Sequence, residues 1–456
     1  MTKYFWTLCL AIAAFTFTAC SDSDSSDNSA QMKIDKVFLE DAKSNIPDRE
    51  VEFARLGQLI RIQGSGFIGL KKIYINGYET YFNNALMTDN NVWVTLNGKT
   101  PVDKADESVR NTIILYKSDD NQLVYSFTIR AAAPSITSVD NTLPMAGELV
   151  TVSGSNLQET TKVTLPDGTE ITDGIVSDED GEWFTFTVPA SADLSVAGSI
   201  TSEGANGTAV SASYFNYSDA ILIDFDGVSG HGVHSSWGSS SSMIKSDDLV
   251  DDPLNSGRGK VCQLIPERLI GDGISAETTR AIEVWNGGAD DPTDNWLQFF
   301  DASTPITDLA FQFDIYVPEE WSLTGYIQVT MCNNLNWTGY GTENSNAVAY
   351  WIPWLVDSEV VPFKTDGWKT ITIPLSEFTR WKSDVADGKE VTFGDVQEYR
   401  LTPDYRNVGI GFVNGNLKID DVEYPSQNSK QLIYVDNLRL VSIKTSIVSD
   451  FNDTEE

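Results

Sequence analysis

A twelve-residue phrase that occurs twice constrains this chain more than any other feature. Residues 56–67, LGQLIRIQGSGF, alternate apolar and polar side chains and then run into glycine-flanked polar residues. About ninety residues later, residues 146–157, AGELVTVSGSNL, repeat the pattern, with Gly57 matched by Gly147 and Gly64 by Gly154. A period of two is the mark of a strand with one buried face. The first copy ends at a glycine turn. After each copy comes a strand and turn: residues 72–78, KIYINGY, hold Asn76-Gly77, and residues 162–168, KVTLPDG, close on Pro166-Asp167-Gly168. Alternating runs at 92–96, 112–116 and 124–129 continue the first copy, and 183–189 and 214–217 continue the second. Two successive all-β modules follow, with Trp93 and Trp183 assigned to their cores.

At 456 residues the chain has room for roughly three domains. Its 31 Lys and Arg against 66 Asp and Glu give a formal charge of −35. Such a field repels nucleic acid and anionic membrane surfaces, and leaves a neutral partner such as a sugar polymer unaffected. The two histidines, His231 and His234, sit in a Gly/Ser-rich loop without a base-orienting partner, which argues against a serine triad and thins out zinc chemistry.

The first residues read as an address. Lys3 supplies the positive charge, and residues 5–17 are apolar over a length too short to span a bilayer. They lead into Phe17-Thr18-Ala19-Cys20, then an acidic, low-complexity run, SDSDSSDN, expected to be a disordered tether. The small residues before Cys20 resemble a bacterial lipobox, which implies lipidation of Cys20. The acidic run behind it resembles the surface-export signal of Bacteroidetes lipoproteins. Of the other cysteines, Cys262 and Cys332 either pair in an oxidising compartment or stay as buried thiols.

Beyond Ser218 the composition turns toward Trp, Phe, Asn and Asp. A first strand at 221–227 (ILIDFDG) and a last at 433–441 (IYVDNLRLV) enclose strands at 309–318, 325–331 and 368–375. This stretch reads as one large antiparallel sandwich, with a short helical turn starting at Ser376-Glu377-Phe378. Within it lies residues 349–354, AYWIPW. Side chains alternate along a strand, so if Ile352 faces a core, Tyr350 and Trp354 do too and Trp351 faces water. Pro353 suggests an edge strand or bulge that turns Trp354 outward as well. With Trp285, Trp296, Trp321, Trp337, Trp368 and Trp381 nearby, the indoles exceed what one modest core holds. Trp368, leading a regular strand, is structural. Tyr350, Trp351, Trp354, Trp296, Trp321 and Trp337 are the candidates for an exposed platform.

The phrases PSITSVDNTLPMAGELVTVSGSNL, FTFTVPA and YFNY resemble an IPT/TIG domain, a small immunoglobulin-like sandwich, and the first copy is a more divergent version. ILIDFDG, GWKTITIPLSEF and IYVDNLRLV resemble carbohydrate-binding jelly rolls. Together the chain resembles a Bacteroidetes surface glycan-binding protein of the SGBP-B type. The resemblance implies an all-β chain: signal peptide 1–19, lipidated Cys and tether 20–32, Ig-like modules 33–132 and 133–217, a jelly-roll-like glycan-binding sandwich 218–449 and a tail 450–456. It implies an outer-membrane, surface-exposed lipoprotein of a polysaccharide-utilisation system. Such a protein captures a β-glucan such as xyloglucan or mixed-linkage glucan for a TonB-dependent transporter and its glycan-binding lipoprotein partner. The Ig-like modules then act as spacers in a semi-rigid rod. In many such jelly rolls the first and last strands hold a structural calcium, for which Asp224, Asp226 and Asp436 stand at similar places.

The chemistry fits a binder. A pyranose ring presents C–H groups on its face and hydroxyls at its edge, so an aromatic plane takes the face and amides take the edge. Stacking on an aromatic is worth about 1–3 kcal/mol for a base, and less for a sugar, giving affinities of roughly millimolar to micromolar. Glycosidases need two carboxylates about 5–10 Å apart, and no compact acidic motif stands out. The reading is therefore a non-catalytic protein. The alternatives are an adhesin for a host protein or glycoprotein and, further off, a polysaccharide hydrolase.

Overall fold

The structure is a computed structural model and describes residues 30–42, 46–118, 121–226, 248–264, 280–286, 297–331, 347–402, 406–427, 431–446 and 448–450. Cys20 with its signal segment, His231, His234, Trp296, Cys332 and Trp337 lie outside these residues. The strands of both sandwich sheets pair antiparallel, and the two α-helices are short, so the all-β class holds.

The chain falls into two compact units, Met1–Ile129 and Arg130–Glu456. In the first, one sheet runs Asp48–Glu50, Lys33–Glu40, Leu59–Ser65, Asn91–Thr95, and a second runs Tyr78–Thr80, Lys72–Ile75, Thr112–Ser118, Asn121–Ser126. The second unit opens with the same design. Ser135–Val139, Leu149–Ser155, Trp183–Thr187 and Val176–Ser177 form one sheet, and Glu170–Ile171, Lys162–Thr164, Thr201–Gly204 and Gly207–Val210 the other.

The repeated glycines have a shared cause. Gly64 and Gly154 each sit at a bulge, where the register slips between Ile34 and Lys36 in one copy and between Ile136 and Ser138 in the other. A Cβ on Gly64 would lie 1.8 Å from the Lys33 carbonyl oxygen, and one on Gly154 would lie 1.9 Å from that of Ser135. No rotamer relieves a clash with backbone, so neither strand accepts a side chain there. Trp93 and Trp183 are not core residues. Val92 and Val94 face the first core and Phe184 and Phe186 the second, so the pleat sends the indoles between and beside them outward. Trp93 is half-buried and donates to Glu40 at 3.2 Å, while Trp183 is 37% exposed.

The remainder of the second unit is a two-sheet sandwich. Its back sheet runs Val250–Asp251, Lys260–Leu264, Ile433–Ser442, Leu309–Tyr316, Lys369–Pro374, with Ile221–Ile223 also pairing on Ile433–Ser442. Its front sheet runs Arg280–Asn286, Arg406–Val413, Tyr326–Thr330, Val348–Trp351. The first and last strands of this sandwich pair with each other. Phe311, Phe313 and Ile315 of the back sheet meet Ile327, Val329, Ile410 and Phe412 of the front sheet in one core. Two helices, Thr379–Ala386 and Phe393–Leu401, cover part of this core through Trp381, Phe393 and Val396. The second is opened by a capping box in which Thr392 and Asp395 satisfy each other's backbone.

The outer face of the back sheet is covered by the second Ig-like module. Ala310 and Val441 of the sandwich belong to that module's own core. Beside this apolar seam lies a buried polar network. Asp314, fully buried, accepts hydrogen bonds from Arg258 at 2.9 Å, Arg439 at 2.8 Å and the Thr370 hydroxyl at 2.8 Å. Arg439 also donates to Thr142 of the module at 2.8 Å, and Arg258 to the Leu143 carbonyl at 2.8 Å. Lys369 pairs with Asp140. The Leu309–Tyr316 strand is buried on both faces for this reason, its odd positions in the sandwich core and its even positions under the module.

Candidate functional site

The back sheet is closed off by the module, and within the front sheet the Tyr326–Thr330 strand is buried on both faces, which leaves the sheet's edge to consider. Val348–Trp351 is the edge strand of that sheet, and the pleat sends Tyr350 and Trp351 to opposite faces of it. Trp351 lies on the inner side, directly across from Ile327. Its ring meets Phe313 at 5.9 Å, Trp321 at 5.9 Å and Phe363 at 5.2 Å, all edge to face. Tyr350 lies on the outer side, edge to face with Tyr326 at 5.9 Å. Both residues are half-buried and pack against the core. A strand in the middle of a sheet could not present both rings. An edge strand can, because a ligand passing over the rim reaches either face.

Trp354 and Trp321 do not belong to this surface. Trp354 is 1% exposed: after Pro353 the chain turns in, the indole packs on Tyr424, and its N–H donates to the Gly325 carbonyl at 2.6 Å. Proline ends the strand here but turns the next residue inward, the reverse of the sequence expectation. Trp321 is fully buried and stacks on Phe412 at 5.7 Å, because the chain past residue 318 folds over the open end of the sandwich and bridges to Phe363. Trp368 is structural as expected, buried under Arg258 and donating to Asp252 at 3.0 Å.

Next to the rim two tight hairpins leave apolar side chains in water. Leu355–Val356 pairs with Glu359–Val360 through Asp357 and Ser358, both at positive φ, and Val356, Val360 and Val361 are exposed. The second hairpin, Leu417–Ile419 with Val422–Tyr424, is tied to the first where the Tyr424 hydroxyl donates to the Ser358 carbonyl at 3.3 Å. These valines carried no sequence signal beyond a short β-branched run.

The three aspartates do not form a cation site. Among the described residues no group of three or more His, Cys, Asp or Glu is arranged to hold a metal. Asp226 accepts from the Lys260 backbone at 2.7 Å, Asp224 accepts from the Asp226 backbone at 3.1 Å, and Asp436 faces the Arg258 guanidinium at 3.9 Å. The positive charge beside Asp436 is thus an arginine of the chain itself. Burial pushes the Asp436 carboxyl well above its ordinary range, Arg258 opposes this, and Asp314 adds to it. For Asp314 burial acts upward too, but Arg439 and Arg258 outweigh it and hold the carboxyl below the ordinary range. Cys262 is fully buried, and burial pushes its thiol up, so it is unreactive.

These features describe a β-sandwich binding protein whose back is sealed to an Ig-like module and whose free rim is aromatic. Residues 215–442, half of the chain, match the surface glycan-binding protein B xyloglucan-binding domain, and the chain belongs to that family. An IPT/TIG domain-containing protein of Bacteroides ovatus is 24% identical over 322 residues, 70% of this chain and 54% of the relative. The chain thus spans about half the length of that curated relative. Among solved structures, a surface glycan-binding protein B of Prevotella bryantii matches at 19% identity with a TM-score of 0.60, covering 91% of this chain and all of that one. A surface glycan-binding protein B from a xyloglucan utilisation locus in Bacteroides uniformis matches at 20% identity and a TM-score of 0.42, covering 91% of this chain and all of that one.

Proposed function

We propose that this protein binds a neutral polysaccharide, a β-glucan such as xyloglucan or mixed-linkage glucan, at the aromatic rim of its large sandwich, and that it does so without hydrolysing it. The observation that carries the reading is that the family match covers the sandwich itself, whose back is covered by the Ig-like module and whose front-sheet edge strand holds the half-exposed Tyr350 and Trp351. Tyr350 and Trp351 supply apolar ring surface at that rim, and the exposed valines extend it. A formal charge of −35 favours uncharged glycans over acidic ones. Lipidation at Cys20, display on the outer membrane and delivery to a TonB-dependent transporter with its glycan-binding lipoprotein partner complete the proposal. Weak sites suit such capture, since surface anchoring of many copies raises avidity.

Affinity electrophoresis of the mature chain in gels containing soluble polysaccharides tests this. Retardation by xyloglucan or mixed-linkage glucan is the expected result. Migration unchanged across a panel of β-glucans and hemicelluloses refutes it, and release of reducing sugar refutes the non-catalytic part.

A further inference from the structure

We infer that the outer face of the second Ig-like module, centred on Trp183, is a second contact for a neutral saccharide chain. This rests on the reading of the protein as a glycan binder, but not on the rim being where it binds. The face belongs to the sheet of Ser135–Val139, Leu149–Ser155, Trp183–Thr187 and Val176–Ser177. Val150, Val152, Phe184 and Phe186 enter the module's core, so Leu149, Thr151, Ser153, Trp183, Thr185 and Thr187 point out. Register fixes their neighbours. Trp183 stands opposite Ser153, and Thr185 stands between Thr151 and Val176. Side chains paired in this way have Cβ atoms about 4.5–5.5 Å apart, and the next outward position along a strand is about 7 Å away. One exposed indole is thus flanked by the hydroxyls of Ser153, Thr151 and Thr185 at the spacing of a sugar ring and its edge.

The face carries no charge. None of its four strands contains an acidic or basic residue, in a chain with 66 of the first and 31 of the second. The carboxylates at its margins are spent on backbone: Asp178 accepts from Asp180 and Glu182 at 3.1 Å, and Asp140 accepts from Thr151 at 2.7 Å. The first module treats the same face in the opposite way. Arg61 there lies over the Phe38 ring at 4.2 Å and donates to Glu40 at 2.8 Å and Asp48 at 2.6 Å, and Trp93 donates to Glu40 as well. That indole is tied into a charged network. Trp183 is exposed, and among the described residues it has no ring or hydrogen-bond partner. An ion finds nothing to pair with on such a face. A pyranose does, because the indole plane takes its C–H groups and each Ser or Thr hydroxyl both donates to and accepts from its edge. A long glycan held at two places on one protein also leaves more slowly than one held at either.

The test is affinity electrophoresis of the full mature chain in gels containing soluble xyloglucan or mixed-linkage glucan, with thermal unfolding and light scattering alongside. Trp183→Ala is expected to weaken binding about fivefold, the low end of ring stacking, with the melting temperature little changed because the ring lies outside the core. Thr151→Val with Thr185→Val, which removes two hydroxyls at nearly constant shape, is expected to weaken it too. A folded Trp183→Ala chain that binds within about twofold of wild type refutes the face. If that chain does not fold, the double threonine variant decides by the same limit. A wild-type dimer that Trp183→Ala turns into a monomer makes the face a contact between copies, which also refutes the inference. If Tyr350→Ala weakens binding and these variants do not, the rim stands alone. If these variants weaken it and Tyr350→Ala does not, the face stands and the rim falls. If the wild-type chain binds neither glycan, both fall together.

Discussion

Replacing Asp314 by asparagine probes the junction between the second Ig-like module and the sandwich. Its carboxylate is fully buried and is the shared acceptor of Arg258, Arg439 and Thr370. Arg258 and Arg439 are buried too, so Asp314→Asn leaves two guanidiniums facing a neutral amide. Removing one partner of a buried ion pair costs about 3–5 kcal/mol, because the remaining charge cannot return to water. Against a total stability of about 5–15 kcal/mol for a domain, that is a large share. Asp436 supplies the internal control. It lies 3.9 Å from the same Arg258, against 2.9 Å for Asp314, and burial raises its carboxyl where that of Asp314 is lowered. Asp436→Asn is therefore expected to cost less than Asp314→Asn at pH 7. Urea unfolding at that pH, followed by tryptophan fluorescence, measures both: Trp368 lies directly under Arg258 and reports on the junction. A loss below about 1 kcal/mol for Asp314→Asn, or equal losses for the two variants, refutes the assignment of Asp314 as the centre of the network.

The pH dependence follows with opposite signs. The stability contributed by Asp314, whose folded value is depressed, is present above the ordinary carboxyl value and is lost as pH falls through the folded value. The contribution of Asp436, whose folded value is raised, is full below the ordinary value and is lost as pH rises through the folded one. Unfolding curves of the Asp436→Asn chain should lose the second dependence and keep the first; an unaltered pH profile would contradict this. At the rim, Tyr350→Ala is expected to weaken glycan binding by about tenfold with little change in melting temperature. Trp354→Ala, by contrast, is expected to destabilise the sandwich by about 3–5 kcal/mol, and a well-folded Trp354→Ala chain would show its burial to be wrong. Gly64→Ala and Gly154→Ala should each destabilise their module by clash with a carbonyl, and a melting curve unchanged by either would remove the stated reason for the repeat.

What the sequence disclosed, and what it withheld, divides along one physical line. Period-two alternation and turn glycines are local, and they placed the repeated strands and the opening and closing strands of the sandwich. The bulges at Gly64 and Gly154 and the pairing of those two strands are seen only in the structure. The same alternation, applied strictly, puts Trp93 outside, since Val92 and Val94 face in; treating a large aromatic as core by its type overrode the pleat. The helix Phe393–Leu401 went unread, although Thr392 and Asp395 spell a capping box. Burial of Trp321 and Trp354 depends on chain segments far away, Phe412 in one case and Gly325 with Tyr424 in the other, so no local pattern could decide it. The same holds for the Asp314 network, whose members lie more than fifty residues apart. In sequence Asp314 is simply the polar residue of an alternating strand, indistinguishable from one that faces water.

That ambiguity bears on where a ligand can go. Each sheet of the sandwich has one face in the common core and one outside, and on both sheets the outward face carries glutamine and threonine between aromatic and aliphatic neighbours. On the back sheet Gln312 and Thr370 find a partner in Thr142 of the Ig-like module, and Asp314 finds Arg258 and Arg439 within the sandwich itself. On the front sheet the Tyr326–Thr330 strand is buried along its whole length as well, Gln328 and Thr330 included. What stays half-exposed is the edge strand with Tyr350 and Trp351. The module thus closes one face of the sandwich, through Ala310 and Val441 and the hydrogen bonds to Thr142, and a ligand of this sandwich would have to be met at its edges rather than across a sheet.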